Sequence, residues 1–170
     1  MPVVRPARPD DAEPFAVVIA AVADEGDSIL TEAPVDVAGF SLRVRQTIRD
    51  PHHALLVLVE ADEVVGCLGL HPTNAQGVST LGMAVLEGSR GRGGGGALLD
   101  AALSAARERG IHKVELEVFC DNARAIGLYA SRGFAVEGVR REHHLRKDGS
   151  RRSALLMALL VGEGASAASD

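Results

Sequence analysis

The strongest chemical signal in this 170-residue chain is a single run, Ser89-Arg90-Gly91-Arg92-Gly93-Gly94-Gly95-Gly96-Ala97. An apolar stretch, Leu81-Gly82-Met83-Ala84-Val85, leads into it, and an Ala/Leu stretch with helical spacing, 97–109, follows directly. A strand, a glycine turn and a helix start together make an anion cradle. Glycine turns the backbone tightly and keeps side chains out of the way of an approaching ligand. The first N–H groups of a helix have no partner inside it, and they carry the positive end of its dipole. The chemistry to expect is the holding of a phosphorylated ligand.

Other reactive residue types are sparse. Tyr129 is the only tyrosine, there is no tryptophan, and the two cysteines, Cys67 and Cys120, form no CxxC pair. They read as free thiols in a reducing compartment, not as a disulfide or a metal site. A covalent mechanism through Cys120 lacks a matched histidine nearby.

Three phosphate-binding patterns compete for the glycine run. A Walker A loop needs Lys-Ser or Lys-Thr after its last glycine, and Ala97-Leu98 stands there instead. Gly91-x-Gly93-x-x-Gly96 fits the dinucleotide fingerprint, and Glu115 or Glu117 lies near the distance expected of a ribose ligand. Its context is wrong, because a β-hairpin precedes the loop where a βαβ series should open. The chain after residue 117 is also too short for further alternating units, and both glutamates fall inside a strand. The third pattern is Arg90-x-x-Gly93-x-Gly95, which matches the Q/R-x-x-G-x-G/A run that holds the pyrophosphate of coenzyme A.

The elements around this loop can be read in order. Residues 3–5 form a short strand closed by prolines. Asp10, three residues before Glu13, is close to a capping box. Phe15, Val18, Ile19 and Val22 then share one face of a helix over 11–24. Glu25-Gly26-Asp27 breaks it, and Ile29 to Pro34 is a loop with apolar content. Val37, Phe40, Val44 and Ile48 give a second helix that ends near Asp50-Pro51. Strands follow over 54–60 and 64–70, joined by Ala61-Asp62-Glu63 as a hairpin. A third strand over 78–85 leads into the glycine loop, and Gly110 ends the next helix.

Residues 113–119 alternate, with Val114, Leu116 and Val118 on one face and Glu115 and Glu117 on the other. Asp121-Asn122 offers the N-cap of a short helix through Tyr129 and Ala130, closed by Gly133. Two last strands, 134–144 and 151–161, meet around Lys147-Asp148-Gly149. The reading is one α/β domain over 1–162 with a frayed tail over 163–170, without repeats or linkers.

Composition bounds the partners. Hydrophobic residues make up 46% of the chain and aromatics 3%, so the core must rest on Leu, Val, Ile and Ala. The formal net charge of -5 argues against a general nucleic-acid binder. The basic run from Arg140 to Arg152 falls on a hairpin and reads as a solvated face. No apolar run approaches the ~18 residues of a membrane span. The first residues lack the apolar core of a signal peptide. The expectation is a soluble, cytoplasmic protein.

From Leu81 to Phe134 the sequence resembles the GNAT superfamily of N-acetyltransferases. The matching pieces are LGMAV, SRGRGGGGALLDAAL and KVELEVFCDNARAIGLYASRGF, the last in the form N-x-x-A-x-x-L-Y-x-x-x-G-F. The likeness is weaker at VVRPARPDDAE, and at ILTEAP, which resembles a loop of some bacterial members. The resemblance implies a mixed, mostly antiparallel sheet of six to seven strands with helices on both faces. Its fourth and fifth strands, Val78–Val85 and Lys113–Phe119, would splay apart. Splaying strips backbone groups of their partners, which is costly unless a ligand pairs with them. The pantetheine arm of acetyl-CoA would do so along Met83, Ala84 and Val85.

The same resemblance gives the remaining roles. Arg90, Gly91, Arg92, Gly93, Gly94, Gly95, Gly96 and Ala97 would hold the pyrophosphate, with Asn122 ordering the site. Tyr129 would protonate the departing thiolate. The reaction would be direct acetyl transfer in a ternary complex to a primary amine on a small molecule, an amino acid or a protein. The Val85 N–H would face the oxyanion. The amine must first lose a proton, and Glu32 is the candidate base, with His71 and Glu117 as alternatives. No metal is implied, and homodimers are common in the superfamily. The competing class is a non-catalytic acyl-CoA-binding or regulatory module, against which the intact Tyr129 and Asn122 weigh. The acceptor itself carries no sequence signature.

Overall fold

The computed structural model describes residues 2–162, so the expected tail lies outside the described residues. Seven strands form one sheet: β1 (Val3–Pro6), β2 (Ala54–Glu60), β3 (Glu63–Pro72), β4 (Val78–Val85), β5 (Lys113–Phe119), β6 (Ala135–Leu145) and β7 (Arg151–Leu160). The helices are α1 (Ala12–Asp24), α2 (Val37–Ile48), α3 (Gly94–Glu108) and α4 (Ala123–Ser131). The strand order is β1-β2-β3-β4-β5-β7-β6, and every neighbouring pair is antiparallel except β4 and β5. Among the described residues no helix is long and apolar enough to cross a membrane.

Alternation along the strands sorts two cores onto the two faces of the sheet. Leu56 and Leu58 of β2, Leu68 and Leu70 of β3, and Val114, Leu116 and Val118 of β5 pack against α3 and α4. Leu55, Val57, Cys67 and Ala84 face the other way and pack against α1 and α2. Helix α3 lays Leu98, Leu99, Ala102, Leu103 and Ala106 on the first face, the i, i+1, i+4, i+5, i+8 stripe of a buried amphipathic helix. With so few aromatics, these aliphatic side chains carry the burial, at roughly 1.5–3 kcal/mol for each large one.

Local signals explain most boundaries. Asp36 caps α2 by accepting the Gly39 N–H at 3.0 Å, and Asn122 caps α4 by accepting the Ala125 N–H at 3.2 Å. Three details depart from the sequence reading. The β2–β3 turn has two residues, not three: Ala61 and Asp62 both take positive φ (47° and 65°), the geometry of a tight type I′ hairpin. The Asp10–Glu13 signature forms no capping box; a 3-10 turn, Pro9–Asp11, leads into α1 and is closed by Asp11. The Asp11 carboxylate accepts the Arg8 N–H at 2.6 Å and both Arg5 guanidinium nitrogens at 2.6 and 2.9 Å. Finally, α3 begins at Gly94, three residues early, because the glycines form its first turn.

Candidate active site

The centre of the sheet is open. Strands β4 and β5 pair only at Val78–Lys113, Ser79–Val114 and Thr80–Glu115, and then part. In an antiparallel pair only every second residue exchanges hydrogen bonds with its neighbour. Two bonds fix that phase for β4: Thr73 N–H to Val78 O at 3.0 Å and Leu86 N–H to Val65 O at 2.9 Å. The even-numbered residues of β4 therefore bond to β3, while Met83 and Val85 turn N–H and C=O toward the gap. On β5, Cys120 N–H to Ser153 O and Val161 N–H to His112 O set the opposite edge, so Glu117 and Phe119 face the gap. This corrects the expectation for Ala84, whose backbone is spent on β3. The Val85 carbonyl is also engaged, by Arg90 Nε at 2.8 Å, which leaves the Val85 N–H and both polar groups of Met83.

The glycine loop sits at the mouth of this gap. Gly91 and Gly93 take positive φ (76° and 85°), a conformation that a side chain strains. Gly94 rests on Leu58, and a Cβ there would collide with Leu58 Cδ2. The Arg90 N–H is bonded to Glu87 O, and the Ala97 N–H makes the first helical bond, to Gly93 O. The open N–H groups are therefore those of Gly91 through Gly96, a narrower cradle than Arg90 to Ala97. Both arginine side chains strap the loop to its surroundings. Arg90 pairs with Glu25 at 2.7 Å, and Arg92 pairs with Glu60 at 2.8 Å. Ser89 adds a bond to the same Glu60 carboxylate. A phosphate ligand would meet backbone here, with the guanidinium groups already committed.

Tyr129 lies on the α4 side of the gap, 6% exposed and tilted against Phe134 with ring centroids 5.7 Å apart. Its hydroxyl makes no hydrogen bond among the described residues, yet no buried side-chain polar atom is left stranded. The hydroxyl therefore reaches the cleft. Burial pushes its pKa up to about 12, so the phenol keeps its proton throughout the neutral range. Asn122 has a second task besides its cap: Nδ2 donates to Ser28 O at 3.0 Å and ties α4 to the α1–α2 loop.

The cleft of about 1270 Å³ continues onto the other face of the sheet, under α1 and α2. Gly69 and Gly82 stand opposite each other on β3 and β4, and the floor is open above Gly82. Phe15 and Ile19 of α1 and Phe40 of α2 supply an apolar wall. His71 lines the cleft beside Gly69, so close that a Cβ on Gly69 would collide with His71 Nε2. Glu117 borders the gap with its carboxylate engaged by His144 at 2.6 Å and Arg140 at 3.3 Å. Glu117, His143 and His144 hold donor atoms within 4.8 Å of one another, but Arg140 already sits against both Glu117 and His143 as a competing cation. Cys120 is exposed and outside the cleft lining.

Glu32 is placed elsewhere. Its carboxylate pairs with Arg146 Nε at 2.8 Å and accepts the Lys147 N–H, in a separate recess. It fastens the α1–α2 loop to the β6–β7 hairpin, and a carboxylate so engaged, away from the gap, is badly sited to deprotonate an amine. Arg146 and Arg152 complete that fastening by donating to Leu30 O and Asp27 O, and both stack on the Phe119 ring. Sequence reading missed the two arginines, which look like any basic hairpin. The glycine floor carried a legible signal, because glycine inside a strand marks a place that something approaches closely.

Comparison with known proteins agrees with this geometry. The sequence profile of the acetyltransferase (GNAT) family matches residues 21–134. A mycothiol acetyltransferase of Beutenbergia cavernae is 37% identical over 105 residues, 60% of this chain but 35% of that protein. The ribosomal protein bS18-alanine N-acetyltransferase of Escherichia coli K12 is 41% identical over 70 residues, 41% of this chain and 47% of that enzyme. The matched region thus spans less than half of either relative. Among solved structures, a ribosomal-protein-alanine N-acetyltransferase from Brucella melitensis superposes with a TM-score of 0.84 at 25% identity, over 93% of this chain and 99% of that one. A phosphinothricin acetyltransferase from Sinorhizobium meliloti, in complex with acetyl-CoA, gives 0.85 at 18% identity, over 96% and 90%. The profile covers well over half of the sequence, and the parted central strands are those the superfamily resemblance called for: the chain belongs to the GNAT acetyltransferase family.

Proposed function

We propose that this protein moves the acetyl group of acetyl-CoA directly to a primary amine held in the same cleft. One observation carries the reading. The free backbone edge at Met83 and Val85, the loop glycines Gly91, Gly93, Gly95 and Gly96 with their open N–H groups, and the unbonded Tyr129 hydroxyl all line a single cavity. A pantetheine chain laid in the gap would pair with Met83, and a pyrophosphate would rest on the loop. Acetyl-CoA would supply an activated thioester. The Val85 N–H faces the gap as a preorganised donor for the charge that develops on the acetyl oxygen. Tyr129, protonated at neutral pH, would donate to the leaving sulfur.

The acceptor would enter on the face of Gly69 and Gly82, opposite the helix that bears Tyr129. Amine attack and thiolate departure then take place on different sides of the gap. The apolar wall favours an amine with a hydrophobic group near its nitrogen. Of the similar proteins, one is named for the alanine of a ribosomal protein and one for mycothiol, so a peptide amine and a small-molecule amine are both to be tried. The deciding measurement is thiol release from acetyl-CoA against a panel of N-terminal peptides, amino acids, polyamines and aminoglycosides. Turnover with at least one amine is expected. Coenzyme A binding without turnover on any of them would favour the non-catalytic acyl-CoA module instead.

A further inference from the structure

His71 does not stand alone in the cleft. Its Nδ1 lies 2.7 Å from His53 Nδ1, a hydrogen bond in which one ring must donate. The other nitrogen of His53 faces the Asp50 carboxylate at 3.6 Å. The exposure of these side chains rises outward, to 25% for His53 and 44% for Asp50. Three groups thus run in line from the floor of the cleft to solvent.

The carboxylate sets the tautomers. Asp50 favours a proton on His53 Nε2, so neutral His53 offers its Nδ1 lone pair. His71 must then donate from Nδ1, and its lone pair lies on Nε2, the nitrogen beside Gly69. The carboxylates that line the cleft are Asp27, Glu87, Glu117 and Asp121, and Asp121 is paired with Arg152. Helices α1 and α2 present only Phe15, Ile19, Val22 and Phe40 to the cleft, and Thr80 stands opposite on β4. The carboxylate across the floor is Glu117, whose two oxygens are taken by His144 and Arg140, so accepting a proton would break an ion pair. Burial first, and then the neighbouring His53, hold His71 below the ordinary imidazole range and keep it neutral.

We propose that His71 is the proton acceptor for the acceptor amine, and that His53 and Asp50 pass the proton on to solvent. The inference rests on the acetyl-transfer reading above. An ammonium that becomes an amide gives up two protons. One replaces the proton that Tyr129 donates to sulfur, and the other must leave the closed complex. An N–H proton of the ammonium passes to His71 Nε2, the Nδ1 proton of His71 passes to His53 Nδ1, and His53 Nε2–H gives its proton to Asp50 or to water. The nitrogen lone pair so freed forms the C–N bond, and the C–S bond breaks with its electrons on sulfur.

The test compares wild type, His71→Gln, His53→Gln and Glu117→Gln with the best amine of the panel, following kcat/KM from pH 5.5 to 9. Coenzyme A affinity is measured separately as a check on folding. For His71→Gln a loss of about 10²–10⁴-fold is expected, the range of general acid–base catalysis. The wild-type acid limb should give way to a rate that rises with pH throughout, with coenzyme A binding unchanged. His71→Ala should recover part of its rate with added imidazole. His53→Gln should lose less, and its loss should shrink in concentrated buffer. A His71→Gln enzyme with the wild-type pH profile, or one within twofold of wild type while Glu117→Gln is inactive, overturns the proposal. Loss of coenzyme A binding together with rate in both His71 variants overturns it too, since His71 is then structural. Wild type that turns over no amine fails earlier, at the acetyl-transfer reading.

Discussion

Cutting Arg146 should loosen the acceptor side of the cleft without touching the coenzyme A side. Its side chain is 8% exposed and makes three contacts: an ion pair with Glu32 at 2.8 Å, a bond to Leu30 O at 2.9 Å, and a stack on Phe119 at 5.3 Å. Glu32 is 26% exposed, so the pair falls between two known regimes. Exposed pairs contribute about 0.2–1 kcal/mol, and breaking a fully buried one costs about 3–5 kcal/mol. A coupling of about 1–2 kcal/mol is expected from the double-mutant cycle of Arg146→Met and Glu32→Gln. The lost bond to Leu30 O adds roughly 1 kcal/mol to the single Arg146→Met change. A total of about 2–3 kcal/mol lowers Tm by roughly 4–12 °C in a protein of this size.

The functional consequence follows from the loop. Its Ile29, Leu30 and Thr31 line the cleft, and Arg152, Asn122 and Arg146 hold the carbonyls of Asp27, Ser28 and Leu30. Releasing one of three anchors should raise the acceptor KM about tenfold, the equivalent of 1.4 kcal/mol. The affinity for coenzyme A should stay within about twofold, because the glycine loop is strapped separately through Glu25 and Glu60. Thermal denaturation and steady-state kinetics on the four proteins of the cycle supply both readouts. A coupling under ~0.5 kcal/mol with an unchanged acceptor KM would refute the tether, since contacts in one network normally couple by more than that.

Further outcomes follow from the same geometry. Tyr129→Phe should lower kcat by about 10²–10⁴-fold with little change in coenzyme A affinity, and an unaltered kcat would remove its donor role. Gly82→Leu should raise the acceptor KM and spare coenzyme A binding, because nothing lies within 4 Å of a Cβ there and the added side chain would enter the cleft. Equal losses for both ligands would place the acceptor elsewhere. The Arg5 hydrogen bond and charge hold the Asp11 carboxyl below its ordinary range, so the stability it contributes is present above the unfolded value of about 3.9 and lost as pH falls through the lower folded one. Asp11→Asn should cost about 1–3 kcal/mol at pH 7 and flatten the acid limb of the stability curve below about pH 4. An unchanged acid limb counts against the pair. Thiol titration of the native protein should find Cys120 promptly and Cys67 only on unfolding, since Cys67 is buried and desolvation drives its pKa far up.

Most of the fold was legible in the residue order because its signals are local. Periodicity and turn residues placed the strands and helices to within about three residues, and the caps at Asn122, Gly110 and Gly133 act over one turn. The glycine run and the Asn122–Tyr129 spacing also lie within single segments, so sequence could propose a phosphate cradle and, by resemblance, an acid. The parallel β4–β5 pair and its parting after Thr80 follow from which strands became neighbours. That placement decided which backbone groups are free, Met83 and Val85 but not Ala84. The straps of Arg90 and Arg92 and the fastening of Glu32 by Arg146 join residues far apart in the chain, and a charge in sequence carries no address for its partner. The His71–His53–Asp50 line has the same origin. Its members come from β3 and the turn after α2, and they meet only because β2 and β3 form a hairpin in one register. Sequence determined the elements and the chemistry each could offer, because those depend on neighbours along the chain. The tertiary structure decided which groups stay unpaired for a ligand, because that depends on what folding brings against them.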